Sequence, residues 1–246
     1  MGSSFKFNGT DLATYGLTFQ SHNLSDFALQ ADAIPLTERA YGLTSRRPAL
    51  NATLDVTVTA SDRTTLLGYL DKIKAVLNVD TDKKLEVGDI TDRYFMVRSG
   101  QMQKRSESAT YWQGTITFAR FDVLAYDNTE KSNNYTIATD PDSITETITG
   151  TANTRPVITI TSNADMEDTT IEIESATTGE TFQWTGIFNT GDVLVIDCQK
   201  MYVTFNTIAS MLSTGPEYLA LKPGANIWNT SGFTGVLNIK YRNRYV

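Results

Sequence analysis

What this chain lacks narrows its chemistry before any pattern is read. It has one cysteine, Cys198, so no intrachain disulfide can form, and the thiol reads as a small buried hydrophobe rather than a reactive group. It has one histidine, His22, in a polar, loop-like setting, read as a surface residue without metal or partner. One Cys and one His offer neither zinc-ligand spacing nor a complete thiol triad. A glycine-rich phosphate loop and a Gly-x-Ser-x-Gly elbow are both missing. No apolar run approaches the roughly 18 residues that a membrane span needs. The N-terminus has no basic region followed by an apolar one, so synthesis and assembly in a cytoplasm are expected. No cofactor is expected.

Clustered positive charge is missing too. The chain carries 21 Lys and Arg against 28 Asp and Glu, a formal net charge of −7. Through Glu130 there are 14 basic and 16 acidic residues, and beyond it 7 and 12, so neither half is a basic nucleic-acid module. Arg46-Arg47 and Lys104-Arg105 are isolated doublets, read as solvated surface.

What is present is a β-rich pattern in two parts. At 246 residues the chain favours two domains, with one large β domain as the competitor. The dividing window is 109–160. Trp112, Ile116 and Phe118 alternate with Thr115, Thr117 and Ala119, the period of a half-buried strand. At Ala119-Arg120 the apolar register passes to Phe121 and Val123, which calls for a bulge or the strand's end. Between Glu130 and Thr154 apolar residues are few, and this stretch is expected to be a protease-sensitive linkage. The domains are therefore drawn as 1–130 and 131–246.

In the first domain, Phe5-Lys6-Phe7 runs into the hairpin signal Asn8-Gly9, with Tyr15 to Phe19 as a return strand. Residues 29–49 hold little core material and read as an arm packing on another subunit, with Arg39, Tyr41, Arg46 and Arg47 as its interface residues. Leu54, Val56 and Val58 mark a strand. The helix follows at 63–78, capped by Ser61 or Asp62, with Leu66, Leu70, Ile73 and Leu77 in its stripe, joined by Leu67 and Val76. Strands are expected at 85–87 and 94–97, then a turn at Ser99-Gly100. The first domain is α+β, a sheet with one helix on it. The second shows strands only: Ile171 and Ile173, Phe182 and Trp184, Val193 to Ile196, Met201 to Phe205, and Leu237 to Tyr241. Turn residues separate them at intervals of about ten, as in a sandwich or jelly roll.

Few residues present themselves as chemistry. Glu172 and Glu174 share a strand face and read as solvated acid. The turn at Asp165-Met166-Glu167-Asp168 has oxygen ligands for calcium but no ordered loop pattern. Trp184, Tyr218 and Trp228 read first as core or interface aromatics and second as a sugar-stacking platform.

The order of these features resembles the distal tail protein (Dit) family of siphophages, the long non-contractile-tailed phages. Phe5-Lys6-Phe7-Asn8-Gly9-Thr10-Asp11-Leu12 opens the likeness. The arm around Tyr41-Gly42, the helix, Tyr94-Phe95 and Phe118-Ala119-Arg120-Phe121-Asp122 continue it. Thr149-Gly150-Thr151, Arg155-Pro156-Val157-Ile158-Thr159-Ile160, the run from Gly191-Asp192 through Asp197, Leu221-Lys222-Pro223-Gly224-Ala225-Asn226 and the tail Ile239-Lys240-Tyr241-Arg242-Asn243-Arg244-Tyr245 complete it. The resemblance implies a non-enzymatic hexameric ring at the virion's tail tip, built from the first domains, with galectin-like second domains projecting outward. It implies a tail-tube protein above and a tail-associated (tail-hub) protein below as partners, often with receptor-binding proteins at the rim. An acidic lumen would let DNA slide without sticking. The rival readings are a carbohydrate-binding adhesin that uses the second domain and a glycan-cleaving enzyme, which would need two carboxylates in one cleft.

Overall fold

The computed structural model describes residues 5–24, 50–120, 122, 124–210 and 218–246. The expected arm, with Arg39, Tyr41, Arg46 and Arg47, lies outside them, as do Phe121 and Val123. The chain divides into two compact units, Met1–Ala125 and Tyr126–Val246, a few residues ahead of the expected boundary.

The first unit is an antiparallel sheet with one helix. Its elements are β1 (Phe5–Phe7), β2 (Thr10–Asp11), a short 3-10 turn, β3 (Leu17–His22), β4 (Leu50–Thr59), α1 (Arg63–Leu77), β5 (Lys83–Val87), β6 (Arg93–Glu107) and β7 (Tyr111–Arg120). The strands run in the order β2-β1-β5-β6-β7-β4-β3. Asn8 (φ 51°) and Gly9 (φ 77°) both take left-handed backbone, which makes the tight β1–β2 turn. The return strand is thus Thr10–Asp11, and Tyr15 falls in the 3-10 turn instead. Helix α1 starts at Asp62, whose side chain accepts from the Thr65 N–H at 2.9 Å. Leu66, Leu70, Ile73 and Leu77 form its buried stripe, whereas Leu67 stays exposed.

Strand β6 carries the bend of this unit. Its first part pairs with β5 through Phe95 to Val97, and its second pairs with β7 from Arg98 to Glu107. The expected turn at Ser99-Gly100 is a bulge inside this one long strand, with Ser99 at φ 41°. Gly100 passes close beneath the core. A Cβ there would lie 2.8 Å from a Leu77 methyl and 2.9 Å from the Phe118 ring.

Strand β7 ends at Arg120, where the strand's end or a bulge was expected, and its inward parity holds up to that residue. Arg120 takes the next buried position, with its guanidinium 4.7 Å from the Phe95 ring centroid. It donates to the carbonyls of Asp122 (2.8 Å) and Leu24 (3.1 Å).

The second unit is a two-sheet antiparallel sandwich. Besides β8 (Ala125–Asp127, straddling the division), which with the last strand stands outside the two sandwich sheets, it comprises β9 (Lys131–Ile137), β10 (Asp142–Ile148), β11 (Val157–Ser162), β12 (Met166–Ser175), β13 (Thr181–Phe188) and β14 (Val193–Asp197). They are followed by β15 (Tyr202–Phe205), β16 (Ile208–Ala209), β17 (Gly224–Ser231), β18 (Gly235–Tyr241) and β19 (Arg244–Tyr245). One sheet is ordered β10-β17-β12-β13, the other β16-β15-β14-β11-β18-β9. Ile158, Ile160, Ile171, Ile173, Leu194 and Ile196 are at the centre of their shared core. Val193 to Ile196 is internal, as its apolar run requires. Met201 is not a strand residue but an exposed turn position at φ 55°.

Residues 130–154 are not a linker. They hold β9 and β10, paired over their whole lengths with β18 and β17. Three inward isoleucines, Ile137, Ile144 and Ile148, suffice to seat these strands, because an edge strand needs apolar groups on one face only.

Candidate assembly interface

A concave surface of the first unit lies where α1 meets the β6–β7 hairpin. A groove of about 280 Å³ is lined by Leu67, Leu70, Met102 and Trp112, with Lys74 and Lys104 beside them. Leu70 and Trp112 are core residues at its base, while Leu67, 44% exposed, forms the lip. Glu107 closes one end, ion-paired with both Arg63 and Lys104. Hydrogen bonds from Lys104 and then Arg63 hold the Glu107 carboxyl below its ordinary value. The same pole carries the helix cap. The Thr65 N–H, then the Ser61 and Thr65 hydroxyls, lower the Asp62 pKa to about 2. Of the doublet Lys104-Arg105, Lys104 thus bonds Glu107 at 3.0 Å and Arg105 reaches Asp55 at 3.4 Å.

At the other end of β6, residues 88–92 connect it to β5. Ile90 donates its N–H to the Val87 carbonyl at 2.9 Å, closing the turn. His22 is not the unpartnered surface residue expected. Its Nε2 lies 2.9 Å from Asp89 Oδ2, and its ring stacks on Phe19 at 5.5 Å. Sequence spacing had no means of pairing two residues so far apart in the chain.

In the second unit the three aromatics do not form a platform. Trp184 and Trp228 are 4% and 1% exposed, so neither offers a ring face to a sugar. Trp184 stacks on Phe205 at 5.1 Å and donates from Nε1 to Ser210 Oγ at 2.9 Å. Tyr218 packs against the same core. Glu172 and Glu174 stay on the outer face and accept from Gln183 and Asn229. Asp165 accepts the Thr190 N–H at 2.7 Å, which ties two loops of the sandwich together. Among the described residues no three His, Cys, Asp or Glu side chains gather as metal ligands.

Residue chemistry overlooked one cluster. Glu146, 4% exposed, projects inward from β10. Its carboxylate accepts from Asn133 Nδ2 (3.0 and 2.9 Å), the Tyr135 hydroxyl (2.8 Å), the Tyr241 hydroxyl (2.9 Å) and the Thr147 N–H (3.2 Å). Burial first, and the neighbouring carboxylate second, raise both phenols above their usual value. Every donor is neutral and comes from β9, β10 or β18, so the cluster ties the edges of the two sheets together and has the look of a staple. The available signal was the alternation Ile144-Thr145-Glu146-Thr147-Ile148, which puts Glu146 on the isoleucine face.

Residues 149–245 match the family described as siphovirus-type tail component, C-terminal domain. The chain is 25% identical over 228 residues to the distal tail protein of Bacillus phage SPP1, covering 90% of this chain and 88% of that protein. It also matches the crystal structure of SPP1 Dit, which is described as a paradigm of hub adsorption apparatus in phages infecting Gram-positive hosts. The TM-score is 0.77 at 20% identity, over 99% of each chain. A chain of the phage P2 baseplate in its activated conformation with calcium matches at TM-score 0.50 and 10% identity, over 99% of this chain and 98% of that one. At such identities the structural likenesses speak to fold.

Proposed function

Starting from a chain that belongs to the distal tail protein (Dit) family of siphophages, we propose that it is a structural hub of the phage tail tip. In this reading six copies close into a ring through their first units. The ring joins the tail-tube protein to the tail-associated (tail-hub) protein, can dock receptor-binding proteins at its rim, and leaves a channel for DNA. The protein contributes surfaces rather than chemistry, and its place is the virion's tail tip after assembly in the host cytoplasm.

One observation carries the proposal. The likeness to the SPP1 distal tail protein runs through both units in order, over 90% of the chain, rather than resting on a β-sandwich that many proteins share. The net charge of −7 suits a channel wall that DNA must not adhere to. The interface reading of Arg39, Tyr41, Arg46 and Arg47 belongs to the same proposal, as the arm that would bind one subunit to the next. The adhesin reading loses its motive with Trp184 and Trp228 inside the core.

Negative-stain electron microscopy of the purified chain tests it. Six-fold rings with a central channel are expected, and a chain that stays monomeric at tens of micromolar overturns the ring.

A further inference from the structure

We propose that the Leu67 groove is a socket for the 88–92 loop of a second copy, and that this pair makes the head-to-tail contact between neighbouring subunits. The inference rests on the ring reading and names the surfaces that would close it.

The socket is concave and apolar, with an exposed leucine at its lip and Lys74 and Lys104 beside it. A lone exposed leucine needs no explanation, but one that lines an apolar groove between two cations specifies its guest. The guest should be an apolar side chain flanked by carboxylates. Residues 88–92 have that form. Half-buried Ile90 lies between Asp89 and Asp92, whose side chains are 46% and 66% exposed. The loop is held in shape by the Ile90–Val87 backbone bond and by His22 on Asp89, so little freedom remains to be lost on docking. Asp92 pairs with Arg93 at the surface, Lys74 pairs with Asp71 at 3.5 Å, and Lys104 would have to share itself between Glu107, at 3.0 Å, and the guest. Exposed pairs of this kind contribute little, so exchanging them for contacts across an interface costs little.

Plug and socket lie toward opposite ends of one strand. Asp92 immediately precedes β6, and Lys104 is near its other end. At about 3.3 Å per residue they are up to roughly 40 Å apart along the strand, less where it bends, so no copy can fill its own socket. A contact between unlike patches on opposite sides of a protomer is heterologous, and it repeats until a ring closes.

The test uses the full-length chain and two variants at exposed positions, Leu67→Asp in the socket and Asp92→Lys in the plug. Circular dichroism checks the fold, and Lys104→Glu replaces Leu67→Asp if that variant unfolds. In sedimentation velocity each variant alone should lose the ring and associate at least about tenfold more weakly than wild type. Mixed in equal amounts they should recover a dimer and nothing larger, because one intact plug meets one intact socket and both free ends are spoiled. Rings formed by either folded variant alone at wild-type concentrations overturn the contact, and so does a mixture that yields no dimer. A wild-type chain that never oligomerises overturns the ring reading instead, and the contact with it.

Discussion

At the scale of single residues, Glu146 and Cys198 make opposite uses of burial. Glu146 is kept inside by three polar side chains that have no other acceptor as close. Glu146→Ala would take the carboxylate from the Asn133 amide and leave the Tyr135 and Tyr241 hydroxyls only the Thr145 and Thr147 carbonyls, at 3.0 and 3.3 Å, so it should lower stability by about 1–3 kcal/mol in urea unfolding. Glu146→Gln keeps the shape and one acceptor oxygen and should cost less. A loss under about 1 kcal/mol for the alanine variant would mean the hydroxyls find other partners. Cys198 has no such escort, and burial pushes its thiol up to about 12. Its folded value is raised, so the unfolded chain gives up the proton first. The stabilisation is whole below about pH 8.5, the value of a free thiol, and is lost as pH rises toward 12. Thermal melts at pH 8, 9 and 10 should therefore fall more steeply for wild type than for Cys198→Ala. Above pH 10 the raised Tyr135 and Tyr241 pKa values add a loss of the same sign in both proteins.

At the scale of elements, α1 shows how much a stripe can and cannot say. Leu66, Leu70, Ile73 and Leu77 recur at helical spacing and are buried, so Leu70→Ala should cost about 2–5 kcal/mol. Leu67 belongs to the same apolar pattern, yet it lies on the rim of the groove and its removal should leave thermal stability within about 0.5 kcal/mol. Gly100→Ala should destabilise by about 1–3 kcal/mol, because its methyl meets Leu77 and Phe118 in a filled core. The polar strands reverse the lesson. Lys131–Ile137 and Asp142–Ile148 have few apolar residues and read as linker, but backbone pairing and one isoleucine face hold them. Limited proteolysis followed by mass spectrometry should find both strands uncut in the first products. Early cuts within either would contradict their place in the sheets.

At the scale of the whole molecule, the two units differ in what their sequences can reveal. The sandwich reads clearly as alternating strands between turns, whereas the first unit's long β6 is interrupted by a bulge that mimics a turn. In the proposed ring, residues 29–49 would bind one subunit to the next. Deleting Ile34 to Pro48 should leave the second unit folded by circular dichroism and abolish hexamers in sedimentation velocity, with Tyr41→Ala weakening them less. Hexamers that survive the deletion would leave ring closure to surfaces such as the Leu67 groove.

The sequence by itself determined the β-rich class, the one helix and its cap, the Asn8-Gly9 turn, the inward faces of β4, β7, β12 and β18, and the family likeness. All but the last follow from local backbone preference and side-chain periodicity, which act over a few neighbouring residues, and the likeness rests on the order of motifs along the chain. Tertiary structure alone decided that His22 meets Asp89, that Arg120 turns inward over Phe95, that Trp184 and Trp228 are core rather than platform, and that Glu146 gathers its donors from three strands. Each of those depends on which distant strand lies opposite. That is set by register and sheet order, and a one-residue change in register would turn the same side chain to the other face.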